Sequence, residues 1–219
     1  IGRLLAEASG EAGASGEPRG AFETDEGLRV SVLGAPTRDR PRALRRAIEG
    51  HARDIAEHGR AIEIVIVDDG VTRSAETAAV AREVARRFGV RVRLIDRPAK
   101  ALLAKAVADL AGAPLSIVER ALAPHAPDVF AAGAARNVLL LAGVDRGLLQ
   151  IDDDTVCDLR AAPDARPGLR ARSFEDPTEM WFDEREMASK QGESANAPAA
   201  LPGPVGYAAA HEQLLGRSA

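Results

Sequence analysis

The chemistry available to this chain is concentrated in two acidic clusters and one basic loop. Asp152-Asp153-Asp154 directly follows the apolar run Leu148-Leu149-Gln150-Ile151, and Asp68-Asp69-Gly70 directly follows Ile64-Val65-Ile66-Val67. Three consecutive carboxylates repel one another unless a cation sits among them. A hard divalent ion such as Mg²⁺ or Mn²⁺ meets that need. It takes one or two carboxylates and completes its shell with substrate phosphate oxygens. An arbitrary run of three aspartates is a solvated turn with a helix cap. Here the run ends a buried strand and a second acidic pair ends another, which favours the cation. A carboxylate of Asp68-Asp69 can accept from a nucleobase N–H or a ribose hydroxyl, although Asp-Gly is also a common turn after a strand. A third strand end delivers Pro36-Thr37-Arg38.

These clusters need a scaffold, and the hydrophobic pattern supplies one. Leu28 to Leu33 reads as a strand stopped by Gly34 and Pro36, with Thr37 or Asp39 capping the helix that follows. Leu44, Ile48 and Ile55 share one helical face, and Gly59 ends it. Ile62 to Val67, interrupted only by Glu63, predicts a strand buried on both faces. Ser74 caps a second helix carrying Val80, Val84 and Phe88, which Gly89 stops. Val90 to Ile95 is a third strand. Residues 98–142 read as mostly helical, with breaks at Gly112-Ala113-Pro114, Pro124 and Pro127. Gly147 to Ile151 is a fourth strand. Strand–helix–strand order at short spacing implies right-handed crossovers and a mostly parallel α/β sheet flanked by helices on both faces. In such sheets ligands bind beyond the carboxyl ends of the strands, where all three polar clusters fall.

Composition narrows the function. The 219 residues carry 29 basic and 33 acidic side chains, a net charge of −4, and only 3% aromatics. Neither a basic face nor a stacking platform for nucleic acid is expected. Residues AVILMFWYC make up 46%, enough for a core. A single cysteine, Cys157, excludes an internal disulfide and a multi-cysteine zinc site, and is most simply a small buried hydrophobe. With 44 alanines, and Arg as 26 of the 29 basic residues, the chain reads first as a GC-rich coding sequence. Residues 28–150 hold 20 basic and 14 acidic side chains, whereas 151–186 hold 5 and 11, so a positive half adjoins a negative stretch at the aspartate run. Residues 1–27 are rich in Gly, Ala, Ser and Glu and predict a flexible arm without the features of a secretory signal. The chain starts at Ile1, which implies processing or a longer parent. No apolar run approaches the length of a bilayer span, and the expected location is cytoplasmic.

Several phosphate and hydrolase motifs are missing. There is no G-x-x-x-x-G-K-[ST], and the first strand is followed by Gly34-Ala35-Pro36-Thr37-Arg38, not by G-x-G-x-x-G. Neither H-E-x-x-H nor G-x-S-x-G occurs.

Taken in order, Val30 to Arg40, Ile64 to Gly70, Ala135-Arg136-Asn137 and Leu149 to Asp154 resemble the family-2 glycosyltransferases of the Rossmann-like GT-A fold. The resemblance covers roughly residues 28–156, which would form the nucleotide-sugar half, leaving 157–219 as a short acceptor-side region. It implies that Pro36, Thr37 and Arg38 line the nucleotide pocket and that Asp68 or Asp69 contacts the base, a uracil. Arg136 and Asn137 would lie beside the diphosphate. Asp152 would face the ribose or sugar, and Asp154 would bind Mn²⁺ or Mg²⁺, with Asp153 supporting it or exchanging roles and Asp152 within reach. A late His211 is a further metal candidate, although a structural His is the plainer reading. His51, His58 and His125 read as structural. The implied reaction moves a hexose from a UDP-sugar to an acceptor hydroxyl, inverting if a carboxylate base takes the acceptor proton. Candidates for that base are Glu212, Asp183 and Glu179. The last two belong to an acidic cluster with Glu175, Asp176 and Glu184 around Trp181, which also reads as a solvated loop. Two other readings share the scaffold. A nucleotidyltransferase would present a Gly-rich basic loop after the first strand, where this chain has only Gly34. A non-catalytic nucleotide-binding module is motivated by the short carboxyl-terminal half.

Overall fold

The computed structural model describes residues 29–123, 131–157 and 206–212. The chain divides into two compact units, Ile1–Cys157 and Asp158–Ala219. The first contains β1 (Val30–Thr37), α1 (Pro41–Glu57), β2 (Glu63–Asp68), α2 (Ser74–Phe88), β3 (Arg91–Ile95), α3 (Arg97–Ala111), α4 (Leu115–Leu122), α5 (Ala132–Ala142) and β4 (Gly147–Gln150). The second contributes one described helix, α6 (Tyr207–Glu212). The strands form one four-stranded sheet in the order β3-β2-β1-β4, every pair parallel. The α/β architecture expected from the alternating pattern is therefore present.

Alternation along the strands divides the core. Val32, Val65, Val67 and Ile95 face α3, α4 and α5, and pack with Leu103, Leu122, Val138 and Leu139. Leu33, Ala35, Ile64 and Ile66 are also buried and point to the opposite face, where the stripes of α1 (Leu44, Ile48, Ile55) and α2 (Val80, Val84) are buried. Each buried Val, Leu or Ile side chain contributes roughly 1.5–3 kcal/mol. Helix α1 starts at Pro41, whose fixed φ suits the first turn. Helices α2 and α3 stop at Gly89 and Gly112, both left-handed. Among the described residues, no helix is long and apolar enough to cross a membrane.

Three local expectations give way to longer-range contacts. Strand β1 passes through Gly34 and Pro36 and ends at Thr37. The Gly34 carbonyl accepts from Ile151 on the β4 side, whereas the Thr37 carbonyl accepts from Asp69 on the β2 side. Pro36 shares the side of Gly34, so the N–H it lacks is the one that would have continued the β4 ladder. The β4 chain is thereby released into the Asp152–Asp154 turn. Neither Thr37 nor Asp39 caps α1; the cap residue is Arg40, without a side-chain bond. Nor does Ser74 cap α2, because it is the first helical residue and its hydroxyl donates to the Gly70 carbonyl. Phe88 and Cys157 are half-buried, not fully enclosed.

Glu63, the one polar residue in the β2 run, is buried between Arg93 at 2.8 Å and Arg146 at 2.6 Å. This pairing lies at the amino ends of the strands, away from the polar clusters.

Candidate functional site

In the order β3-β2-β1-β4, the chain leaves β1 toward β2 and later returns to β1's other side as β4. That reversal opens a crevice at the carboxyl ends of β1 and β4, the usual ligand position in an open parallel sheet. A cavity of about 470 Å³ occupies it, lined by Pro36 and Thr37 at the end of β1, Arg38 and Arg40 after it, Ala132 and Arg136 on α5, and Asp152, Asp153 and Asp154 after β4.

The three aspartates have separate partners. Asp153 is buried; it accepts from the Thr37 hydroxyl at 2.7 Å and from Arg40 Nη1 at 2.7 Å. Arg40 Nη2 donates to Asp154 at 2.9 Å, so one guanidinium spans two adjacent carboxylates. Asp152 accepts from Arg136 Nη2 at 3.1 Å. Burial pushes the Asp153 carboxyl up, aided by the charges of Asp154 and Asp152 and opposed by Thr37 and Arg40. Arg40 is raised by its hydrogen bond to Asp154 and the charge of Asp153. Three arginines and three aspartates therefore line one cavity.

Asp39 lies between Arg38 and Arg40 in the loop after β1. It has a φ of 51°, rare for a non-glycine residue. Its carboxylate accepts from the backbone N–H groups of Val71, Thr72 and Arg73 at 2.8–3.1 Å. This carboxylate, remote in sequence, holds the loop that leads into α2, while the cap residue of α2, Arg73, has no side-chain cap bond. Partial burial alone would raise its pKa; the three N–H groups outweigh that and lower it to about 2. Gly70 permits the approach, since a Cβ there would lie 2.7 Å from Asp68 Oδ1 and 3.0 Å from Asp39 Oδ1.

The remaining candidates lie elsewhere. Asp68 is buried, with Oδ1 accepting from Gly70 N at 2.7 Å; burial raises its pKa against that bond. Asp69 is sealed in an ion pair with Lys100 of α3, each side chain 1% exposed. Neither aspartate lines the cavity, since Asp69 already has its cation and Asp68 turns into the β2–α2 loop. Asn137 donates to the Ala121 carbonyl at 2.9 Å, satisfying the end of α4 instead of reaching the crevice. His51 lies on the buried face of α1, and His58 is the residue that caps its carboxyl end. His211 and Glu212 lie on α6 of the second unit, where His211 Nδ1 donates to the Tyr207 carbonyl at 2.9 Å. Asp183, Glu179 and His125 fall outside the described residues.

Two contributors escaped the sequence reading. Arg40 has no local signal beyond its place in the β1 loop. Lys100 did have one: it shares helical spacing with Leu103, Ala104 and Val107, and a charge on an apolar stripe requires a buried partner.

A hard divalent ion such as Mg²⁺ or Mn²⁺ needs several oxygen ligands. Among the described residues, no three His, Cys, Asp or Glu side chains converge as a metal cage. The seat between Asp153 and Asp154 nonetheless already holds a cationic group, the Arg40 guanidinium. Two carboxylates completed by phosphate oxygens are the donor set such an ion uses. The residues present fit a metal that arrives with a phosphate ligand. Comparison of the chain with protein-family models, curated proteins and solved structures gave no match.

Proposed function

We propose that residues 28–156 are the donor-binding half of a metal-dependent glycosyltransferase that moves a sugar from a UDP-sugar to an acceptor hydroxyl with inversion. The observation that carries this reading is the charge-balanced cavity at the β1/β4 crevice. Each phosphoryl group of a nucleotide-sugar diphosphate carries one negative charge, and a divalent cation cancels the pair. Such a complex suits a cavity whose own arginines and aspartates balance.

In this reading Asp154 and Asp153 hold the Mn²⁺ or Mg²⁺, which when bound stabilises charge on the departing diphosphate. Arg136 and Arg38 bind phosphoryl oxygens through their planar forks. Asp152, released from Arg136, faces the ribose or the sugar. Pro36 and Thr37 form the floor. Thr37 positions Asp153, because its hydroxyl proton is committed to that carboxylate. The acceptor oxygen attacks the anomeric carbon, the bond from that carbon to the phosphate oxygen breaks, and a carboxylate takes the acceptor proton. Glu212, Asp183 and Glu179 remain the candidates for that base.

Incubation with UDP-hexoses and Mn²⁺ tests the proposal. It predicts metal-dependent UDP release that Asp154→Ala abolishes. Binding of UDP without any release would favour a non-catalytic nucleotide module. Release of diphosphate from a nucleoside triphosphate and a sugar 1-phosphate would favour a nucleotidyltransferase.

A further inference from the structure

We infer that Arg40 is a built-in counter-cation for Asp153 and Asp154 that vacates its seat when a metal-bound diphosphate enters, making metal affinity depend on the nucleotide. The inference rests on the nucleotide-sugar reading above and names how ligand entry into that same site is ordered.

The geometry singles out Arg40 among the cavity arginines. Its two terminal nitrogens divide between two carboxylates, at 2.7 and 2.9 Å, whereas Arg136 reaches one carboxylate at 3.1 Å. The two partners differ. Asp153 is fixed, buried and tied to Thr37; Asp154 is half exposed. Arg40 itself is about half exposed, so its guanidinium can swing without repacking the core. A metal ion taking both carboxylates must displace this cation. Arriving alone, it must also give up water, with no new partner for the freed guanidinium. Arriving with a diphosphate, it brings oxygens that an arginine fork matches, inside the same cavity. Metal and nucleotide therefore strengthen each other's binding, and linkage makes the factor reciprocal.

Titration calorimetry on the whole chain tests this, with Mn²⁺ alone and with Mn²⁺ plus UDP, for the native protein, Arg40→Gln and Arg40→Lys. Thermal melts check that each variant is folded. The native chain is expected to bind Mn²⁺ alone at least tenfold more weakly than with UDP. Arg40→Gln, which leaves the aspartates without their cation, should bind Mn²⁺ alone about tenfold more tightly than the native chain, and UDP should then strengthen Mn²⁺ binding by a smaller factor. Arg40→Lys, which keeps the charge but lacks the planar fork that spans the two carboxylates, should fall between. Unchanged affinity for Mn²⁺ alone in both variants, with the native chain still binding UDP and Mn²⁺ together, overturns the inference and leaves the reading beneath it standing. Failure of the native chain to bind UDP with Mn²⁺ overturns the reading, and the inference with it.

Discussion

Thr37 and Asp153, 116 residues apart in sequence, are joined by a buried 2.7 Å hydrogen bond across the crevice between β1 and β4. This bond ties the loop that carries Arg38 and Arg40 to the turn that carries the aspartates. Thr37→Val keeps the shape and deletes the donor, leaving a buried carboxylate oxygen without its partner. A loss of about 2 kcal/mol is expected in urea denaturation. Thr37→Ser, which keeps the hydroxyl, should recover most of it.

The Asp39 clasp should be visible in acid. Its folded pKa is about 2, below the ordinary 3.8. The stability it contributes is therefore present above pH 3.8 and is lost as pH falls through about 2. Because the carboxylate is only partly buried, solvent screening keeps the contribution on the order of 1 kcal/mol. Asp39→Asn should lower stability at neutral pH and flatten its fall between pH 4 and pH 2, as followed by circular dichroism. A native acid-unfolding curve identical in slope to that of the variant would contradict the clasp.

The Lys100–Asp69 pair predicts a strong coupling. Lys100→Met leaves a buried carboxylate uncompensated and should cost about 3–5 kcal/mol. Asp69→Asn strands the ammonium and should cost a similar amount. The double variant should lose less than the sum of the two, by about 2 kcal/mol in a denaturation cycle. Simple additivity would mean that the two charges do not act as a unit.

Asn137 separates the roles that sequence and structure assign. Its amide satisfies the Ala121 carbonyl at the end of α4. Asn137→Ala is expected to cost about 1 kcal/mol of stability and to leave UDP affinity in calorimetry within twofold. A tenfold loss of UDP affinity would return Asn137 to the ligand.

The sheet and its strand ends were legible because burial imposes a local pattern. Ile62 to Val67 could be nothing but a core strand, and Gly89 and Gly112 stop their helices where a left-handed residue is required. What stayed hidden were choices made between distant segments. Ser74 has the residue type of a cap for α2, but the helix starts at Ser74 itself, and the loop before it is held by Asp39 from the β1 loop. Thr37 reads locally as a helix cap, but it ends β1, lines the cavity and gives its proton to Asp153. Asp68 and Asp69 looked equivalent, yet Lys100 sequesters one and the Gly70 turn the other. In each case a local rule names the side chain's capacity, and the tertiary partner decides how that capacity is used.

The central claim is that the β1/β4 crevice takes a nucleoside diphosphate together with a divalent cation held by the aspartate turn. Titration of UDP into the chain with and without Mn²⁺, for the native protein and for Asp154→Ala, tests it most directly. The account predicts saturable binding that requires Mn²⁺ and weakens at least tenfold in Asp154→Ala. No binding to the native chain, or binding undiminished by Asp154→Ala, would contradict it.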